Sequence, residues 1–248
     1  MTCADPPASP DRLDFRPGFM RNPCPMKLTV KICGLSTEET LDAALDAGAD
    51  MVGFVFFPPS PRYLTLERAV ALAARARGRA EIVALSVDMA ERNLGEIVDG
   101  VRPDWLQLHG HEDPERVTAI KKRFARRVIK AVGVREAADL AAARRYDRIA
   151  DRLLLDAKPP KDAILPGGNG AAFDWTLLDG LDLAAPYILS GGLDADNVSL
   201  ALKTTGACGV DVSSGVESAP GRKDPARIRA FIDAARKAVA RQPERTHS

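Results

Sequence analysis

The chain has 248 residues, 46% of them hydrophobic, with 35 Lys and Arg against 34 Asp and Glu for a formal net charge of +1. That length and apolar fraction suit one large core, and the balanced charge gives no field that would gather nucleic acid or an acidic membrane surface. The four cysteines, Cys3, Cys24, Cys33 and Cys208, show no C-x-x-C spacing, and they read as reduced thiols of a cytoplasmic protein, since a core this size needs no disulfide staples.

The first 25 residues are rich in proline and lack the apolar segment of a signal peptide. They read as a disordered extension ahead of a single domain over residues 26–248. Met26 opens MKLTVKICG, the first clean strand, and is an alternative start. From Lys27 onward, short β-branched apolar runs alternate with Ala-, Leu- and Arg-rich stretches of helical period, the pattern of βα units around a parallel sheet. Strands are predicted to begin near residues 28, 51, 81, 105, 127, 152, 187 and 209. Helices are predicted over 37–47, 65–77, 90–100, 113–125, 135–145, 171–180, 194–204 and 224–240. Ser36 is the expected N-cap of the first helix, and Asp113-Pro114 and Asp224-Pro225 place proline at N1 of two others. Eight equal units with no Gly-rich first turn favour a closed (β/α)8 barrel over an open doubly wound sheet. No run approaches the roughly 20 apolar residues of a spanning helix.

In such a barrel the functional groups follow the strand ends. The first strand ends in Lys31-Ile32-Cys33-Gly34; a lone cysteine is usually a small buried hydrophobe, but at the barrel mouth a thiol can also serve as a base if cationic neighbours lower its pKa. After the second strand, Phe56-Phe57-Pro58-Pro59-Ser60-Pro61-Arg62-Tyr63 forms a proline-stiffened loop, expected to be exposed, with one Arg. Its guanidinium could grip a carboxylate or could simply be solvated. The fourth strand ends in Gln107-Leu108-His109-Gly110-His111. An H-x-H pair can bind metal, but the folded body offers no third His and no matching carboxylate cluster, so no metal is expected and His109 reads as a pocket residue.

The sixth strand delivers Asp156 behind three leucines, either as a working acid or as a structural hydrogen-bond acceptor. A long loop follows, through Lys158-Pro159-Pro160-Lys161 to Gly167-Gly168-Asn169-Gly170, with the length and glycine content of a lid. The seventh and eighth strands end in Ser190-Gly191-Gly192-Leu193 and Asp211-Val212-Ser213-Ser214-Gly215-Val216-Glu217. Small residues after these two adjacent strands form the usual phosphate site of such barrels. A phosphorylated small molecule is the expected ligand, and no Walker or dinucleotide fingerprint indicates a nucleotide cofactor.

Taken together, KICG, GFVFFPPSPRY, QLHG, LLLDA, GGNG-x-x-FDW, SGGL-x-x-DNV and GVDVSSGVE resemble the phosphoribosylanthranilate isomerases in order, spacing and strand placement, over residues 27 to about 238. The resemblance implies Cys33 as general base, Asp156 as general acid and Arg62 as a contact for the anthranilate carboxylate. It further implies that Gly191, Gly192, Ser213 and Ser214 bind phosphate, that Asp211 faces the ribose, and that the protein works without cofactor as a monomer or homodimer. Asn169 departs from the GGTG that the family favours, which puts its hydrogen bonds in doubt.

The implied reaction is an Amadori rearrangement. A neutral Asp156 needs a raised pKa and the Cys33 thiolate needs a lowered one. A bifunctional isomerase acting also on a histidine-pathway aminoaldose is disfavoured, because such enzymes resemble this chain but carry Asp at the Cys33 position. A noncatalytic phosphosugar-binding barrel would be expected to have lost the acid or the base, and both are present.

Overall fold

Each of the eight apolar runs forms a strand in the computed structural model, which describes residues 27–158, 167, 170 and 172–240. The strands are β1 (Thr29–Cys33), β2 (Met51–Val55), β3 (Glu81–Ser86), β4 (Trp105–Leu108), β5 (Arg127–Val134), β6 (Arg152–Ala157), β7 (Tyr187–Leu189) and β8 (Gly209–Val212). They pair in parallel in chain order, and β1 returns to β8 with Lys31 opposite Asp211, which closes the barrel. The expected extension, residues 1–25, lies outside the described residues.

Side chains alternate across each strand, so residues two apart share a face. Val30, Ile32, Val52, Phe54, Leu153 and Leu155 join the layer between sheet and helices. Met51, Val83, Trp105, Ile129, Leu154 and Ile188 fill the barrel interior. Cys33, Val55 and Leu85 make a separate small cluster. On β1 this alternation turns Lys31 and Cys33 inward together. Trp105 carries the guanidinium of Arg127 at 4.2 Å and that of Arg152 at 5.1 Å from its ring. These cation–π contacts pin the first residue of β4 to its two successors, at the end of the barrel away from the strand C-termini.

Among the described residues seven α-helices follow strands of the barrel: α1 (Glu38–Asp46), α2 (Leu66–Ala76), α3 (Glu91–Val101), α4 (Pro114–Phe124), α5 (Leu140–Tyr146), α6 (Val198–Thr205) and α7 (Pro225–Ala240). Asp113 and Asp224 accept from backbone N–H groups of the first turns of α4 and α7, at 2.7 and 2.8 Å, with proline at N1 of each. Helix α1 is capped by Thr37 rather than Ser36: the Thr37 hydroxyl accepts from Thr40 N at 3.3 Å.

Two expectations are corrected. The helix predicted over 171–180 is a single 3-10 turn, Trp175–Leu178, because Asp174 caps it from one side and Gly180, at φ +69°, ends it almost at once. The segment after β8 also contains an unforeseen hairpin, β9 (Glu217–Ala219) with β10 (Arg222–Lys223), turned by Pro220-Gly221. Among the described residues no helix is long and apolar enough to cross a membrane.

Candidate active site at the C-terminal mouth

A pocket of about 780 Å3, part of it open to solvent, occupies the end of the barrel where the strands finish. Every residue singled out from the sequence lines it: Cys33 from β1, Arg62 from the β2 loop, His109 after β4, Asp156 from β6, Gly191 and Gly192 after β7, and Asp211, Ser213 and Ser214 from β8 and its loop. Placement at one mouth follows from parallel strand closure, since all eight C-terminal ends lie on the same side.

Cys33 is buried, and Gly53 stands beside it on β2, where an added Cβ would come within 2.9 Å of Sγ. Glycine there leaves the thiol its room. Burial pushes the thiol above its ordinary pKa, against the pull of the Lys31 ammonium, while Asp211 adds to the upward push. The pocket therefore sets the thiol above, not below, its ordinary value, against the expectation for a base. Lys31 is fully buried and donates to Asp211 Oδ1 at 2.7 Å. Burial pulls its pKa down, but the Asp211 carboxylate, with Cys33 beside it, outweighs that and holds the ammonium above its ordinary value. Ser190 Oγ donates to the other Asp211 oxygen at 3.3 Å.

Asp156 is buried opposite Gly133 on β5, with Oδ1 accepting from Ala157 N at 2.9 Å and Oδ2 lying 3.4 Å from His109 Nε2. The Gln107 amide nitrogen sits 3.2 Å from His109 Nδ1, an arrangement that puts the Nε2 proton on the Asp156 side. Gly167 lies over this pair: a Cβ would come within 2.4 Å of Asp156 Oδ2 and 2.8 Å of His109 Nε2. The rest of the loop expected to form a lid, residues 159–166, 168–169 and 171, lies outside the described residues, and the departure at Asn169 with it. His111 is exposed and pairs with Asp88 at 3.0 Å. Among the described residues no group of three His, Cys, Asp or Glu could hold a metal ion.

Gly191 and Gly192 adopt φ of +87° and +63°, a backbone open mainly to glycine. Asn197 holds their loop in shape, its amide donating to Gly192 O at 2.8 Å and accepting from Asp194 N at 3.0 Å. Just after β8, Ser213 Oγ donates to Cys33 O at 3.2 Å, which ties the eighth loop to the end of β1.

Arg62 corrects the sequence reading. Its loop was expected to be exposed, but the side chain is buried and its Nε and Nη2 donate to Glu217 Oε1 and Oε2 at 2.7 and 2.9 Å. Lys223 meets the same carboxylate at 2.7 Å and also donates to Ser213 O and Oγ at 2.8 and 3.0 Å. Burial drives Lys223 down to about 8, despite the opposing pull of Glu217. Burial disfavours the Glu217 carboxylate, yet Arg62 and Lys223 outweigh it and hold its pKa below the ordinary value. Sequence reasoning missed Lys31, Glu217 and Lys223. The even spacing of Lys31 and Cys33 on one strand was the only signal for the first, and the partners of the others lie up to 155 residues away.

A closed (β/α)8 barrel whose mouth gathers a thiol, a carboxyl, an imidazole and two glycine- and serine-rich loops has the build of a barrel enzyme. The family model described as N-(5'phosphoribosyl)anthranilate (PRA) isomerase matches residues 30–234. An N-(5'-phosphoribosyl)anthranilate isomerase of Bradyrhizobium diazoefficiens is 61% identical over 211 residues, covering 85% of this chain and 95% of the relative. One from Afipia carboxidovorans is 61% identical over 213 residues, covering 86% and 91%. The crystal structure of phosphoribosyl anthranilate isomerase from Thermotoga maritima superposes with a TM-score of 0.77 at 37% identity, covering 85% of this chain and 99% of that one. A further isomerase structure, in complex with reduced 1-(o-carboxyphenylamino)-1-deoxyribulose 5-phosphate, gives 0.73 at 34% identity, covering 85% and 99%. The chain belongs to the N-(5'-phosphoribosyl)anthranilate isomerase family.

Proposed function

We propose that this chain is an intramolecular aldose–ketose isomerase of tryptophan biosynthesis, working in the cytoplasm. It converts N-(5'-phosphoribosyl)anthranilate to 1-(2-carboxyphenylamino)-1-deoxy-D-ribulose 5-phosphate. The observation that carries the reading is the placement of Cys33 on β1 and Asp156 on β6 at the rim of one pocket, with Arg62 and the β7 and β8 loops in its wall. A substrate with a carboxylate at one end and a phosphate at the other needs such a span between cationic and backbone donors.

In this mechanism Asp156, as the neutral acid, protonates the ribofuranose ring oxygen, and the ring opens to an iminium. Cys33 as thiolate removes the C2 proton, and the enolamine tautomerises to the ketose. Arg62 meets the anthranilate carboxylate, Gly191, Gly192, Ser213 and Ser214 receive the phosphate, and Asp211 faces the ribose. His109, 3.4 Å from Asp156, orients the acid. Lys31, paired with Asp211 and pulling the thiol down, supplies the positive field that a thiolate needs.

The test is direct. Purified protein mixed with freshly made phosphoribosylanthranilate should accelerate loss of its anthranilate fluorescence over a blank. Decay no faster than the blank would sink the reading.

A further inference from the structure

Glu217 and Lys223 are buried charges with no place in the reaction above. Neither lines the pocket, but each holds a residue that does. Glu217 receives the forked guanidinium of Arg62, while Lys223 donates to both the carbonyl and the hydroxyl of Ser213. The 2.7 Å contact between Lys223 and Glu217 joins the two grips. The three donors of the Lys223 ammonium are thus all spent on protein, so it is a clamp rather than a ligand contact.

We propose that Glu217 and Lys223 are positioning residues that set the spacing between the two anion-holding ends of the pocket, Arg62 at one and the Ser213–Ser214 loop at the other. The hairpin β9–β10 acts as the strut. Its turn packs on the Arg62 loop so closely that a Cβ at Gly221 would lie 2.5 Å from Pro61 O, and Gly221 N donates to Glu217 Oε2 at 3.2 Å. At the other end, Ser213 Oγ reaches Cys33 O, which registers the strut on the strand that carries the thiol. Buried ion pairs of this kind add little net stability over apolar replacements. What they add here is geometry: a guanidinium fork and a loop hydroxyl each fixed in one orientation, with side-chain freedom already lost before a ligand arrives.

The proposal rests on the isomerase reading only for the chemistry it assigns to the two ends, a carboxylate and a phosphate. The experiment compares wild type with Glu217→Gln, Lys223→Met and Lys223→Arg. It measures KM and kcat for phosphoribosylanthranilate and, separately, binding of inorganic phosphate and of anthranilate by calorimetry. The strut requires that Lys223→Met, which touches neither ligand, raise KM and weaken phosphate binding by about tenfold or more. It also requires weaker anthranilate binding, transmitted through Glu217, with kcat changing less than KM. Lys223→Arg should recover part of the loss, and Glu217→Gln should weaken both ligands. A folded Lys223→Met enzyme with unchanged KM and unchanged binding of both probes would overturn the proposal, as would loss of thermal stability alone. Should Glu217→Gln fail to fold, the two Lys223 variants carry the same test. Wild type without turnover would overturn the isomerase reading, and the two binding arms would still decide the strut.

Discussion

Cys33 faces opposed demands, since a base must be able to ionise and a buried thiol resists ionising. Burial wins over Lys31 at the Cys33 thiol, so the thiolate is the minor form at neutral pH. Its fraction should grow by about tenfold per pH unit below the thiol pKa, and the rate at which a thiol-alkylating reagent inactivates the free enzyme should follow it upward between pH 6 and 8. Cys33→Ser and Asp156→Asn nearly preserve volume, and each should lose at least ~10²-fold in kcat, the lower end of general acid–base contributions. The residual activity of Cys33→Ser should resist that reagent. Near wild-type turnover in Cys33→Ser would make the thiol a packing residue and leave the base to be sought elsewhere on the pocket wall.

At the scale of elements, the β7 and β8 loops are the proposed anion end of the site, and the second of them can be tested with little strain. Ser214→Asp places a carboxylate where the phosphate approaches, at a residue outside any ladder. It should raise KM and abolish inhibition by inorganic phosphate while leaving the thermal midpoint nearly unchanged; unaltered substrate affinity would move the phosphate site elsewhere. The strands that lead to these loops were legible in sequence because each is a short apolar run bounded by helical period, and a parallel sheet covered on both faces has that signature. The hairpin β9–β10 was not, because a three-residue and a two-residue strand are too short to show alternation, and Pro220-Gly221 marked only a turn. The pocket residues were legible as strand ends. Their partners were not, since Lys31 meets Asp211 across 180 residues, and Arg62 meets Glu217 across 155, by barrel closure and loop packing rather than by spacing. For the same reason Arg62 read as an exposed loop residue: nothing local shows that a carboxylate waits for it after β8.

Over the whole molecule, buried ionisable groups should write a distinctive profile of stability against pH. On the acid side, burial disfavours the carboxylates of Asp50 and Glu217, but their Lys and Arg partners outweigh it and hold both below their ordinary values. A depressed carboxylate contributes stability that is present above its unfolded pKa and is lost as pH falls through the folded one. The midpoint should therefore drop below about pH 4.5, and less steeply in Glu217→Gln. On the alkaline side Lys223 titrates near 8 in the fold against 10.5 when unfolded, facing Glu217 and Arg62 with Cys33 nearby. Between those values the unfolded chain binds the extra proton, so stability rises with pH as native Lys223 becomes neutral. Cys33 opposes this, because its native pKa lies above the unfolded 9.0, and the unfolded chain gains from thiol ionisation as pH passes that value. Lys31, raised above 10.5, adds stability that is lost at still higher pH. From pH 7 to about 8.5 the Lys223 contribution should lead by roughly 0.5 kcal/mol, about 1–2 °C in midpoint for a chain of this size. Thermal melts should thus show a small rise to about pH 9, little change while the Lys223 and Cys33 contributions nearly cancel, and a fall above about pH 10. Lys223→Met should remove the rise and keep the fall; a rise that persists in the variant would assign it to another group, and a flat wild-type profile would show that Lys223 keeps its proton in the fold.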